Sequence, residues 1–188
     1  MRKVVPLALV LAGIALLVAG ISLLKSNPAQ SGADVNIGRV VLVSDGSQAL
    51  AEKGKPAPDF EITFADGTRL RLSDLRGKPV LINFWATWCR FCEREMPDIQ
   101  VAYDKYKDEG FVVLAIDSKE STRTVANFIS DRNLTFTVAI DPTDAVFRRY
   151  RGGGWPHSVF VDRQGIISDM YTGQLSAARL EQFISAIR

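Results

Sequence analysis

Val80-Leu81-Ile82-Asn83-Phe84-Trp85-Ala86-Thr87-Trp88-Cys89-Arg90-Phe91-Cys92 is the stretch that decides the fold. Val80 to Trp85 is apolar throughout except for Asn83. A short run of that kind suits a strand buried on both faces, as in a parallel sheet. From about Cys89 to Lys107 the pattern becomes helical, with Pro97 inside it. A buried strand therefore ends just before the first cysteine, and a helix begins at it. A helix N-terminus offers free N–H groups and partial positive charge, and Arg90 adds a full charge. Both favour a thiolate at Cys89, the attacking species in disulfide exchange. Cys92, nearly one turn further on, is the more buried partner and the resolving thiol. A purely structural cross-link around so short a ring would contribute only about 2 kcal/mol in the loop-entropy model. The pair reads as redox-active.

The same alternation continues on either side. Glu61 to Phe64 and Arg69 to Leu72 flank Ala65-Asp66-Gly67-Thr68, a hairpin around an Asp-Gly turn. After the Cys-x-x-Cys helix, Phe111 to Ile116 forms a second buried strand ending at Asp117. Thr122 to Arg132 reads as a helix, Thr135 to Ile140 as a third core strand, and Ala145 to Tyr150 as a short helix. Ser158 to Asp162 and Ile166 to Tyr171 flank Arg163-Gln164-Gly165 as a second hairpin. Ser176 to Ile187 closes the chain as an amphipathic helix with Leu180, Phe183, Ile184 and Ile187 on one face. Strands alternating with helices imply βαβ crossovers and a parallel core; the terminal hairpin makes the sheet mixed, with helices on both faces.

The N-terminal part is of another kind. Met1-Arg2-Lys3 precedes an uncharged, mostly apolar run from Val4 to Leu24. At about 1.5 Å per residue that run spans roughly 30 Å, a bilayer core, and exceeds the about 7–15 apolar residues of a cleavable signal. Residues 1–25 read as a signal-anchor helix. Arg2 and Lys3 on one side, against Lys25 on the other, put the N-terminus in the cytoplasm and the rest outside it. There disulfides form and persist. Residues 26–53 read as a linker, in which Ile37 to Val43 has the look of a short docked strand. Residues 54–188 form the folded domain.

The totals exclude several classes. The chain has 188 residues, a net charge of +2, two cysteines and one histidine, His157. No basic run offers a phosphate-binding face, so nucleic acid is not expected as a partner. A structural zinc site needs about four Cys or His ligands, so no metal is expected. Glu93 follows Cys92 where haem attachment would need histidine.

Residues 54–188 resemble the thioredoxin superfamily, and within it the membrane-anchored extracytoplasmic reductases of the TlpA and ResA type. The resemblance rests on Gly54-Lys55-Pro56-Ala57-Pro58-Asp59-Phe60, on Leu72-Ser73-Asp74-Leu75-Arg76-Gly77-Lys78-Pro79-Val80, on Phe84-Trp85-Ala86-Thr87-Trp88-Cys89 with Cys92, on Glu95-Met96-Pro97, and on Trp155-Pro156-His157-Ser158-Val159-Phe160-Val161-Asp162. It implies a thioredoxin fold with an N-terminal hairpin and an inserted βα element, and no cofactor beyond the Cys89–Cys92 pair. It also implies a membrane tether, electrons from a transmembrane thiol carrier, and oxidised extracytoplasmic proteins such as apocytochrome c as substrates. Phe91 stands where the family commonly has proline, and Trp155 where it has Val or Thr. Asn83 stands where cytosolic thioredoxins carry a buried Asp.

Glu95, three residues after Cys92 on the same helix face, is placed to take a proton from Cys92. Trp88 is expected beside the cysteines on the partner-binding surface, with Trp85 in the core. The resemblance puts Pro156 opposite the cysteine pair, after a cis Trp155–Pro156 bond, with Trp155 as a further partner contact. Gly152-Gly153-Gly154 is expected to let the chain turn sharply there. His157 reads as a strand-end residue near the site. The leading function is a reductase of protein disulfides. Its rivals are a disulfide-forming oxidase, a peroxidase of the peroxiredoxin type, and a tethered binding module with incidental thiols.

Overall fold

The computed structural model describes residues 36–43 and 49–188. Eight strands form one sheet, in the order β3-β2-β1-β6-β5-β4-β7-β8. They are β1 Gly38–Leu42, β2 Phe60–Thr63, β3 Arg69–Arg71, β4 Val80–Trp85, β5 Val112–Ser118, β6 Thr137–Asp141, β7 His157–Val161 and β8 Ile167–Thr172. The central four, β1, β6, β5 and β4, run parallel. The hairpin β2–β3 and the pair β7–β8 add antiparallel strands at the two ends. The mixed sheet with a parallel centre expected from the residue pattern is the one observed.

All six residues of β4 are buried, which is why the sequence there shows no polar alternation. Its faces serve different layers. Leu81 and Trp85 join the core under α1 Arg90–Tyr106, α2 Thr122–Asp131 and α4 Ala177–Ile187. Val80, Ile82 and Phe84 join the core on the opposite face, with Val146 and Phe147 of the short helix α3 Ala145–Arg149 and with Leu72 and Leu75 of a 3₁₀ turn. Helices thus cover both faces. The N–H groups that open α3 are satisfied from β6, where the Asp141 carboxylate accepts from Ala145, Val146 and Phe147 at 3.0, 2.9 and 3.0 Å.

Two expectations need correction. The short strand suggested within the linker at Ile37 to Val43 is present as β1, but it is an integral strand between β2 and β6, well ahead of the boundary drawn at Gly54. Gly38 and Val40 are buried while Arg39 and Val41 are exposed, the alternation of a strand with one covered face. A Cβ at Gly38 would come within 2.2 Å of Ile62 Cγ2, so the close approach of β2 requires glycine there. Second, β5 does not stop before Asp117. It continues through Ser118, with Asp117 opposite Ile140 and Ser118 opposite Asp141, because both side chains are buried and hydrogen-bonded. Among the described residues no helix is long and apolar enough to cross a membrane. The apolar run Val4 to Leu24 lies outside the described residues.

Candidate functional site

Cys89 is the N-cap of α1 and is joined to Cys92 by a disulfide. Its sulfur accepts the Cys92 N–H at 3.1 Å, in the place where a capping oxygen would usually sit. The strand-to-helix turn is closed by the Cys89 N–H bonding to Ala86 O at 3.2 Å. Cys89 is 6% exposed and Cys92 0%, so what access the pair has is through Cys89. Cys92 is the more buried of the two, as its place one turn into the helix implies, and Cys89 itself is mostly buried.

Glu95 is buried on α1 one turn beyond Cys92. Each of its two oxygens has its own donor. Oε1 accepts from Asn83 Nδ2 of β4 at 2.8 Å, and Oε2 accepts from the Leu175 N–H at 2.9 Å. Burial pushes its pKa up to about 7, only partly offset by those two donors. Asn83 Nδ2 also donates to Ser158 Oγ of β7 at 3.0 Å, while its buried Oδ1 has no donor among the described residues. Asn83 stands where cytosolic thioredoxins carry a buried Asp, and here its amide holds the Glu95 carboxyl on α1.

Trp88 is 63% exposed and meets Trp155 edge-on at 5.3 Å between ring centroids. Trp155 is half-buried and stacked on Phe147 at 4.7 Å and 10°. Its ring therefore belongs largely to the packing, and Trp88 is the open aromatic. Trp85 is fully buried against Phe128. The Trp155–Pro156 bond is cis, and its loop reaches the cysteine turn through the Trp88–Trp155 contact. The reason for Gly152-Gly153-Gly154 differs from the one expected. None of the three has a positive φ, and Arg151 instead takes the left-handed conformation at φ 57°. A Cβ on Gly152 would lie 2.0 Å from the Phe147 ring, so glycine makes room for the ring that supports Trp155.

His157 opens β7 and is buried. A backbone carbonyl can only accept, so the contact of Nε2 with Tyr150 O at 3.0 Å places the proton on Nε2. Nδ1 then accepts from the Thr172 hydroxyl at 2.8 Å. Burial holds its pKa below the usual histidine range. It is a neutral bracket between loop and strand.

A group that sequence reading missed lies on the other side of the turn. Glu120 accepts the Thr87 N–H and the Thr87 hydroxyl, each at 2.6 Å. The Glu120 N–H donates to Asp117 Oδ1 at 3.0 Å. Burial first, and then the Glu120 carboxyl beside it, push Asp117 up to about 8. Its buried Oδ2 has no hydrogen-bond partner among the described residues. The spacing Asp117-x-x-Glu120 at the end of a strand was the available signal. Among the described residues no group of three or more His, Cys, Asp or Glu side chains is placed to hold a metal ion.

A family model described as AhpC/TSA matches residues 53–170. The chain belongs to the AhpC/TSA family. It is 38% identical over 134 residues to the thiol-disulfide oxidoreductase ResA of Bacillus thuringiensis (strain Al Hakam), covering 71% of this chain and 78% of that one. To the thiol-disulfide oxidoreductase ResA of Geobacillus kaustophilus (strain HTA426) it is 38% identical over 135 residues, covering 72% and 78%. Among solved structures, a Chlorobium tepidum protein assigned as thiol:disulfide interchange protein DsbE superposes with a TM-score of 0.67 at 35% identity, over 73% of this chain and 99% of that one. This family member is a thiol-disulfide oxidoreductase. It has a thioredoxin-like fold, a cysteine redox pair that needs no cofactor, and proteins as its substrate class.

Proposed function

We propose that this protein is a membrane-anchored, extracytoplasmic reductase of protein disulfides. The observation that carries the reading is the setting of the pair: a sulfur capping a helix N-terminus, with a buried carboxyl of pKa about 7 one turn along the same helix. Reduced Cys89 attacks one sulfur of a partner's disulfide, and the other leaves as a thiolate. Cys92 gives its proton to Glu95 and attacks the Cys89 sulfur. The second partner thiolate departs, and the Cys89–Cys92 disulfide remains. The partner gains two electrons, and a transmembrane thiol carrier restores the dithiol. Trp88, Trp155 and the cis Pro156 loop form the surface on which the partner segment lies. A peptide laid along that loop adds as a short strand.

The substrate proposed first is apocytochrome c, on the resemblance to reductases of the TlpA and ResA type. Residues 1–25 are the anchor, with Arg2 and Lys3 cytoplasmic and the folded domain on the far side. The deciding experiment is the reduction potential of the pair. A value near about −270 mV supports a reductase, and one near about −120 mV makes the protein an oxidase. Protease accessibility in spheroplasts tests the orientation: a folded domain protected from external protease overturns it.

A further inference from the structure

We propose that Glu120 is a positioning residue for Cys89, acting through Thr87. The proposal rests on the reading of Cys89 as nucleophile. Thr87 lies inside the turn from Ala86 to Cys89, which a single backbone bond closes. Glu120 holds that turn from outside, 33 residues away in sequence, with both carboxylate oxygens on both donors of one residue. A bidentate hold of this kind fixes orientation as well as distance.

The clamp is itself anchored. A solvated glutamate would exchange Thr87 for water at little cost, but Glu120 is half-buried and its backbone N–H is fixed to the fully buried Asp117. Asp117 sits in β5, opposite Trp85 of β4 and Ile140 of β6, and cannot shift without the sheet. The path from sheet to sulfur thus runs Asp117, Glu120, Thr87, Cys89. A fully buried aspartate beside a second acid is costly to keep, and a loop that needed only a tie would be served by one neutral acceptor. On the other flank, Glu95 is held by Asn83 from β4, so the two sides of the cysteine turn are referenced to adjacent strands.

The test uses the reduced full-length protein in a Cys92→Ala background, with a disulfide-bonded peptide as probe. Glu120→Ala and Thr87→Val are each expected to slow mixed-disulfide formation by about tenfold, since small misplacements of a reacting group cost that much or more. The double variant is expected to be no slower than either single one, because both cut the same path. Thr87→Ser, which keeps both donors, should recover the rate lost in Thr87→Val. The pH profile of Cys89 alkylation should shift in Glu120→Ala, a change that a stability defect alone would not produce. A folded Glu120→Ala protein reacting within twofold of the parent, or losses that multiply in the double variant, would overturn the proposal. If Glu120→Ala does not fold, the Thr87→Val and Thr87→Ser pair decides. Reaction of a Cys89→Ala protein that keeps Cys92 would overturn the parent reading instead; a Cys89-dependent reaction insensitive to Glu120 and Thr87 overturns only this one.

Discussion

Replacing Glu95 by Gln should change how stability depends on pH. The Glu95 carboxyl binds its proton more tightly in the fold, where its pKa is about 7, than in the unfolded chain, where 4.5 applies. A raised carboxyl pKa favours the folded state at low pH and weakens it as pH climbs from about 4.5 to about 7, beyond which the loss is complete. At about 1.4 kcal/mol for each pH unit, keeping Glu95 ionised in the fold costs about 3 kcal/mol. The amide variant cannot ionise and does not bear that cost. Asp117 is raised for similar reasons and weakens the wild type over an overlapping range, so the quantity to follow is the difference between the two proteins. Urea unfolding of the oxidised proteins at about one-unit steps from pH 4 to 8 measures it. Stability of the variant minus that of wild type should climb by about 3 kcal/mol across the range, most steeply between pH 5 and 7. A difference flat to within about 1 kcal/mol would show that Glu95 is not held in a desolvated site. A difference that falls with pH would reverse the argument.

The same variant should slow resolution of a mixed disulfide more than initial attack, seen by stopped-flow with a disulfide substrate; equal slowing of both steps would remove Glu95 as proton acceptor. Cys92→Ala should accumulate covalent partner adducts through Cys89, while Cys89→Ala should accumulate none, as read on non-reducing gels and by mass spectrometry of the adducts. Gly152→Ala should destabilise by about 1–3 kcal/mol, because the new methyl overlaps the Phe147 ring. Its Trp155 environment should change with it in near-ultraviolet circular dichroism, and an unaltered spectrum with unaltered stability would contradict the packing described. Trp88→Ala should leave the unfolding midpoint nearly unchanged but lower the rate with protein substrates more than with a small disulfide, since this ring is open to solvent.

Much of this arrangement is legible in the chain because it is local. Val80 to Trp85 announces a strand buried on both faces, and the change to helical period at Cys89 places the sulfur at a helix start. The cis bond before Pro156 came from resemblance rather than from spacing. What escaped was non-local. Asn83 and Glu95 are 12 residues apart on different elements, and nothing in their types says that one amide will hold the other's carboxylate. Asp117 looked like a strand end because an aspartate usually marks the surface, yet it is buried beside a second acid. The strand at Ile37 to Val43 was legible, but not that it would lie inside the sheet, between β2 and β6, rather than beside the domain. The glycines before Trp155 were read as freedom of the backbone, when one of them answers a demand for space.

The unequal access of the two sulfurs has a kinetic consequence. With Cys92 sealed, the reduced partner that donates electrons and the oxidised partner that receives them must both meet the Cys89 sulfur, and so dock on one and the same face. The two half-reactions then form a queue at a single gate: neither partner can wait on the protein while the other is served. The steady-state pattern is ping-pong, and a large excess of either partner occupies the gate in the wrong redox state and inhibits the other. Turnover is then governed by how evenly the two partners are supplied, more than by how tightly either one binds.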